Sequence, residues 1–204
     1  MSENGVCNAS TKLTFKHGAM KAVDFRFIVL RDIWYLRLLT INFEVSQNAI
    51  PNILYIMNLE HYQFRTNSGY LDFEFDSEGP NGAIRKVVRF SPQNANGITY
   101  FNLGFGDLDP KTGRISDLSK SNNGDREKIL STIAHIVLVF TAHFPDVMVY
   151  AQGSTAARTR LYQMGIANNL DEIQDILNVY GYSNDTWQRF ERQVNYEAFL
   201  VARK

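Results

Sequence analysis

The sequence predicts an α+β domain: an antiparallel meander followed by a helix, a strand and a helix, with the helices covering the sheet. Three observations predict it. "GYLDFEFDSEG" alternates Leu71, Phe73 and Phe75 with Asp72, Glu74 and Asp76, the pattern of a half-buried strand. Turn signals follow at short intervals, "GPNG" over residues 79–82 and Asn96-Gly97. Then Ile129, Leu130, Ile133, Ile136, Val137, Phe140 and Phe144 recur at helical spacing.

"AIRKVVRF" is the second strand, closed by Ser91-Pro92, and "ITYFNLGFG" is the third, rich in β-forming residues. Short connections make the three antiparallel. "DPKTG" (residues 109–113) reads as a hairpin loop and "RIS" as its return. "SNNGD" opens the long helix, with Ser121, Asn122 or Asn123 as cap and Asp125 and Glu127 complementing its dipole. Pro145 ends it. "VMVYA" is an apolar strand of the buried kind, and "GST" turns into a second helix, "AARTRLYQM", stopping at Gly165. "LDEIQDILNVY" reads as a third helix and "TWQRFERQV" as a short fourth. "YEAFLVAR" is a closing strand.

The chain divides near Met57. Residues 1–56 carry a net charge of +2 and residues 57–204 a net of −2. Before Met57 neither helical nor strand periodicity persists, so residues 1–56 are expected to be a dispensable extension or a mis-assigned start, poorly ordered, the alternative being an irregular N-terminal lobe that packs on the domain. Residues 57–204 are expected to be a single α+β domain. Expression of residues 57–204 alone tests this, and loss of cooperative unfolding would refute it.

Composition bounds the function. Over 204 residues, Lys+Arg and Asp+Glu tie at 21 each, which gives no strong nucleic-acid signal. One cysteine, Cys7, excludes an internal disulfide framework and a multi-Cys metal knuckle. The first twenty residues lack the apolar run of a signal peptide, and charges interrupt the greasy stretch from Val23 to Val45. The expectation is a cytoplasmic protein with no membrane partner. No phosphate-binding P-loop, zinc-protease helix or serine elbow is present. His17, His61, His135 and His143 are dispersed, and no metal site is expected.

The informative stretch is "YAQGSTAARTRLYQMGI", Tyr150 to Ile166. A strand ends at Gly153 and a helix begins at once, leaving its first amides without partners. Ser154 and Thr155 add hydroxyls, and Arg158 and Arg160 add guanidinium groups. Together they form a receptor for phosphate, pyrophosphate or carboxylate. In the alternative, Ser154 or Thr155 merely caps the helix while the arginines pair with acids such as Glu197. Arg158 and Arg160 are two apart, so one at most points into a site. Asn123 and Gly124, at the start of the longer helix, form a second candidate anion corner, or simply a cap.

From Met57 onward the chain resembles a family of short, uncharacterised bacterial proteins, on "SEGPNGAIRKVV", "FNLGFGD", "SNNGD", "GSTAARTRLYQ" and "NYEAFLVARK". That resemblance brings no activity with it. The layout also looks like the GNAT-type N-acyltransferase fold, in which a meander runs into helix, strand and helix. The second helix there bears a Leu-Tyr pair followed by Gly-Phe; Leu161-Tyr162 and Gly165-Ile166 stand in those places. The resemblance implies that Tyr162 is a catalytic acid toward the departing CoA thiolate. It also implies acetyl-CoA, yet the glycine-rich loop that cradles its pyrophosphate is missing, since "SNNGDREKIL" offers one glycine. No cofactor is therefore expected. Three functions compete: a non-catalytic GNAT-like module binding an anionic small molecule or protein partner, a divergent acyltransferase, and a protein-interaction domain using Trp187 and Phe190 as exposed aromatics.

Overall fold

The structure, a computed structural model, describes residues 60–109, 111–116 and 122–204. The chain parts into two units, Met1–Thr40 and Ile41–Lys204, and every described residue lies in the second. The expectations for residues 1–56 and Met57, and for Ser121 as a cap, fall outside the described residues.

The meander forms as expected. β1 (Arg65–Thr66) edges β2 (Asp72–Gly79), which pairs with β3 (Gly82–Ala95), which pairs with β4 (Ile98–Leu108). At the β3–β4 turn Asn96 and Gly97 take φ values of 53° and 78°, the left-handed pair a tight two-residue hairpin needs. β3 does not stop at Ser91-Pro92; it continues to Ala95, with Pro92 opposite Phe101. The "DPKTG" loop returns as β5 (Ile115–Ser116), paired with the outer end of β4.

Two helices and four strands follow: α1 (Arg126–His143), β6 (Met148–Ala151), α2 (Ala156–Ile173), β7 (Leu177–Ser183), β8 (Thr186–Arg189) and β9 (Ala198–Arg203). The sheet runs β1-β2-β3-β4-β6-β9-β7-β8, with β5 off the path. Among the described residues every pairing is antiparallel except β4 with β6. The result is a mixed sheet with two helices packed on it, the α+β class.

Three readings of the second half require correction. Gly165 does not stop α2, which runs on to Ile173. This glycine serves packing instead: a Cβ there would lie 3.3 Å from Leu130 of α1. "LDEIQDILNVY" is not a third helix. Its first part completes α2, and its last part enters β7, where Leu177 and Val179 face one side and Tyr180 and Tyr182 the other. Both sides are buried, so apolar residues succeed one another and strand alternation is masked. "TWQRFERQV" is no helix either. Asn184 and Asp185, at φ 50° and 59°, turn β7 back into β8.

Register assigns the core. Phe73 opposes Val88, Val88 opposes Phe105, and Phe90 opposes Leu103. This face carries the main core, with Phe90 stacked on Phe140 of α1 at 3.8 Å. The opposite face carries an aromatic row, in which Tyr100 meets Tyr150, and Trp187 meets both Tyr150 and Tyr182. Trp187 and Phe190, expected to be exposed, are buried at 9% and 8% exposure. Their apolar area is already spent inside the domain.

Candidate functional site

The site begins at the centre of the sheet. β4 and β6 pair through Phe101 with Val149 and Asn102 with Tyr150, and then part. β4 continues to Leu108, while β6 ends at Ala151 and the chain turns into α2. Because β3 holds one edge of β4 at Asp107, β5 must hold the other there, on the β6 side. The two parallel strands thus fork, and β5 closes the outer end on β4. Gly106 makes this possible, since a Cβ there would meet the Ser116 carbonyl oxygen at 2.5 Å.

The β6–α2 corner stands beside the fork. Thr155 is the N-cap of α2, with extended backbone, and its Oγ1 accepts from the Arg158 N–H at 3.3 Å. Its carbonyl accepts from the Arg158 and Thr159 amides, both at 3.0 Å. The Gly153 amide donates to Thr159 Oγ1 at 3.1 Å. A Cβ on Gly153 would lie 2.3 Å from the Thr159 nitrogen, so only glycine lets the strand end fold onto this turn. The amides of Ala156 and Ala157 belong to the first turn and have no acceptor within the helix. They adjoin exposed Ser154 and Thr155. No acidic residue lies in this first turn.

The two arginines diverge as their spacing requires. Arg158 is half-buried. Arg160 is exposed and donates from Nη1 to Asn195 Oδ1 at 2.9 Å, rather than meeting Glu197. Arg158, Tyr162 and Ile166 succeed one another at intervals of four and share a side of α2. Tyr162 is half-buried and lines an apolar cavity of about 80 Å³ between α1, α2 and the sheet. The structure therefore gathers Gly153, Ser154, Thr155 and Arg158 at one corner, with Tyr162 one turn further along the helix. Asn123 and Gly124 lie at the start of the other helix.

That second corner is built differently. None of Asn122, Asn123 or Gly124 is the N-cap of α1; Asp125 is, and its side chain bonds elsewhere. Asp125 Oδ2 accepts from Ser77 Oγ at 2.6 Å and from the Tyr62 hydroxyl at 2.8 Å. Asn123 is buried and turned toward the β2–β3 hairpin. Its Nδ2 donates to the Gly82 carbonyl at 3.0 Å and Ser77 Oγ at 3.1 Å, and its Oδ1 accepts from the Asn81 amide at 3.1 Å. Gly124 is needed for its φ of 76°. The positive end of α1 thus has a carboxylate of its own, Asp125.

One buried pair has no counterpart in the sequence reading. Lys86 Nζ, on a side chain 3% exposed, pairs with the Asp107 carboxylate, on a side chain 17% exposed, near the outer end of the fork. The strand "AIRKVVRF" places Lys86 on the same face as Val88 and Phe90, and inward alternation was the only signal that could have found it.

Three of the histidines are held by neighbours, and His17 lies outside the described residues. His135 Nδ1 lies 2.9 Å from the Ser131 carbonyl oxygen, its ring stacked on His61, and His143 stacks on Tyr70. Among the described residues no group of three or more His, Cys, Asp or Glu side chains could hold a metal ion, and no helix is long and apolar enough to cross a membrane. Burial pushes the Tyr150 hydroxyl up to about 12; its proton goes to Gln152 Oε1 at 2.9 Å.

No curated protein and no solved structure matches the chain significantly. A family model does match, over residues 58–204, and the chain belongs to that family, described as a family of unknown function (DUF6934).

Proposed function

We propose that this member of a family of unknown function is a non-catalytic binding module of GNAT-like plan, taking an anionic group at the β6–α2 corner. One observation carries the reading: the first turn of α2 holds no acid, whereas α1 begins on its own buried-side carboxylate, Asp125. A helix N-terminus without a built-in counter-charge favours an external one. Exposed Ser154 supplies a hydroxyl and Arg158 supplies positive charge at the same corner, while Arg160 is turned to Asn195. Phosphate or carboxylate suits these donors. The GNAT-like plan is supported by the single parallel pair, β4 with β6, forking at the centre of an antiparallel sheet.

The test is ligand-dependent thermal stabilisation with inorganic phosphate, pyrophosphate and coenzyme A. A rise in Tm with at least one of them, abolished by Arg158→Ala, is expected. No shift at millimolar concentration with any of them overturns the reading.

A second reading, divergent acyl-CoA-dependent acyl transfer with Tyr162 as acid, is favoured by Tyr162 lining a cavity beside the fork. Asp125 stands against it, because it occupies the helix start where CoA pyrophosphate would bind. Calorimetry with acetyl-CoA decides: absence of binding at millimolar concentration ends this reading.

A further inference from the structure

Protein interiors pack as densely as organic crystals and leave few voids larger than a water molecule. Between the helices and the sheet, a half-open apolar pocket of about 80 Å³ departs from this. Its floor includes Leu103, Val149 and Val201, and its walls include Ala134 of α1 and Tyr162 and Ile166 of α2. Small residues leave the space open: Ala134, Ala151 and Gly165 all border it. Of the bordering side chains, Tyr162 alone carries a polar atom. An ordered water needs two to four polar partners, so water is held poorly here and an apolar guest is favoured.

We propose that this cavity is a binding site for the short saturated hydrocarbon chain of a small-molecule ligand. An apolar cavity of about 150 Å³ takes benzene, so a space of roughly half that size suits a chain of about three or four carbons rather than a fatty-acid tail. Entry lies along the seam of the two helices, where Leu130, Tyr162 and Ile166 are half-buried while Val149 and Phe199 beneath them are closed off. An uncharged apolar guest fits because no charged side chain borders the space. The inference does not depend on the anion corner: it rests on volume and wall chemistry, and the corner rests on helix-end charge.

The experiment is methyl NMR on the full chain, titrated with 1-butanol and, in parallel, placed under xenon. Saturable shifts are expected at the methyls of Leu103, Val149 and Ile166, with those of Val88, which does not border the cavity, unmoved. Ala134→Leu, which places a branched chain into the space, should weaken the response at least tenfold. Ala151→Val serves the same purpose should the first variant fail to fold. Shifts that stay linear with concentration, or saturable shifts that persist unchanged in a folded filled variant, overturn the proposal. If neither variant folds, saturation confined to the bordering methyls of the unaltered chain supports it, and saturation spread over remote methyls overturns it. Phosphate in the same tube leaves these methyls unchanged, so failure here is distinct from failure of the anion reading.

Discussion

The Tyr196 ring lies against Gly181 of β7, so close that a Cβ there would come within 2.3 Å of the ring. Tyr196 is 6% exposed and packs on Phe190 and Phe199. Its amide donates to Gln163 Oε1 of α2 at 3.4 Å, and Gln163 Nε2 donates to the Val194 carbonyl at 2.6 Å. The ring cannot retreat without disturbing its hydroxyl, which accepts from the Glu191 amide at 3.0 Å and donates to the Arg189 carbonyl at 3.3 Å. Gly181→Ala should therefore destabilise the domain by about 1–3 kcal/mol, the usual cost of overpacking. Urea unfolding checks this, with a lower midpoint at unchanged slope expected.

Lys86 and Asp107 make a different kind of prediction. Removing one partner of a buried pair leaves a charge without compensation and costs about 3–5 kcal/mol, whereas replacing both with apolar residues is often neutral. Asp107→Asn should thus be far more damaging than the double change Lys86→Met with Asp107→Leu. Denaturant midpoints of the single and double variants measure the difference. Equal losses would show that packing, not charge, governs the position.

Much of the first half of the domain was legible in the sequence, because one face of β2 is wet. Asp72 and Asp76 meet Arg89 and Arg85 across the ladder, at 2.5 Å and 3.1 Å, and such half-exposed strands alternate visibly. The β6–α2 corner was legible too, since Gly153 and Thr155 carry a local turn and a cap. β7 was not. Buried on both faces, its residues lose the polar half of the alternation, and "DILNVY" runs on from the apolar stripe of α2 without a break. Pairing decides its state: β8 folds back on it through the Asn184-Asp185 turn, and β9 covers its other edge. The role of Gly165 was hidden for a related reason: a helix-stopping residue and a helix-packing residue look alike until the facing helix is known.

Asn123 offers a way to tell the α1 corner from the anion site proposed at α2. Its carboxamide joins the start of α1 to Ser77, Asn81 and Gly82 of the β2–β3 hairpin. Asn123→Ala leaves buried polar groups without partners, each worth about 1–3 kcal/mol when orphaned. A loss of about 2–3 kcal/mol in stability is expected, with phosphate-dependent stabilisation of the surviving folded fraction unchanged. Loss of the phosphate response in a variant that remains folded would place the anion at α1 instead of α2.

Alkaline pH tests the aromatic row. Burial is the leading cause that raises the hydroxyls of Tyr150 and Tyr182 from 10.0 to about 12, and it raises Tyr62 and Tyr100 in the same direction. In the unfolded chain these groups release their protons near 10.0, while the folded chain holds them. Above that pH the unfolded state therefore binds fewer protons than the folded state, and stability falls as pH rises. Below pH 10 the contribution of Tyr150 and Tyr182 is fully present, and it is lost as pH climbs to about 12. Tyr150→Phe removes one titrating group together with its bond to Gln152. The variant should start less stable at neutral pH, yet lose less on going alkaline, so the two stability curves converge. Near-ultraviolet absorbance should show Tyr150 and Tyr182 ionising last, together with unfolding. A normal tyrosine titration completed in a still-folded protein would mean that this row is open to solvent.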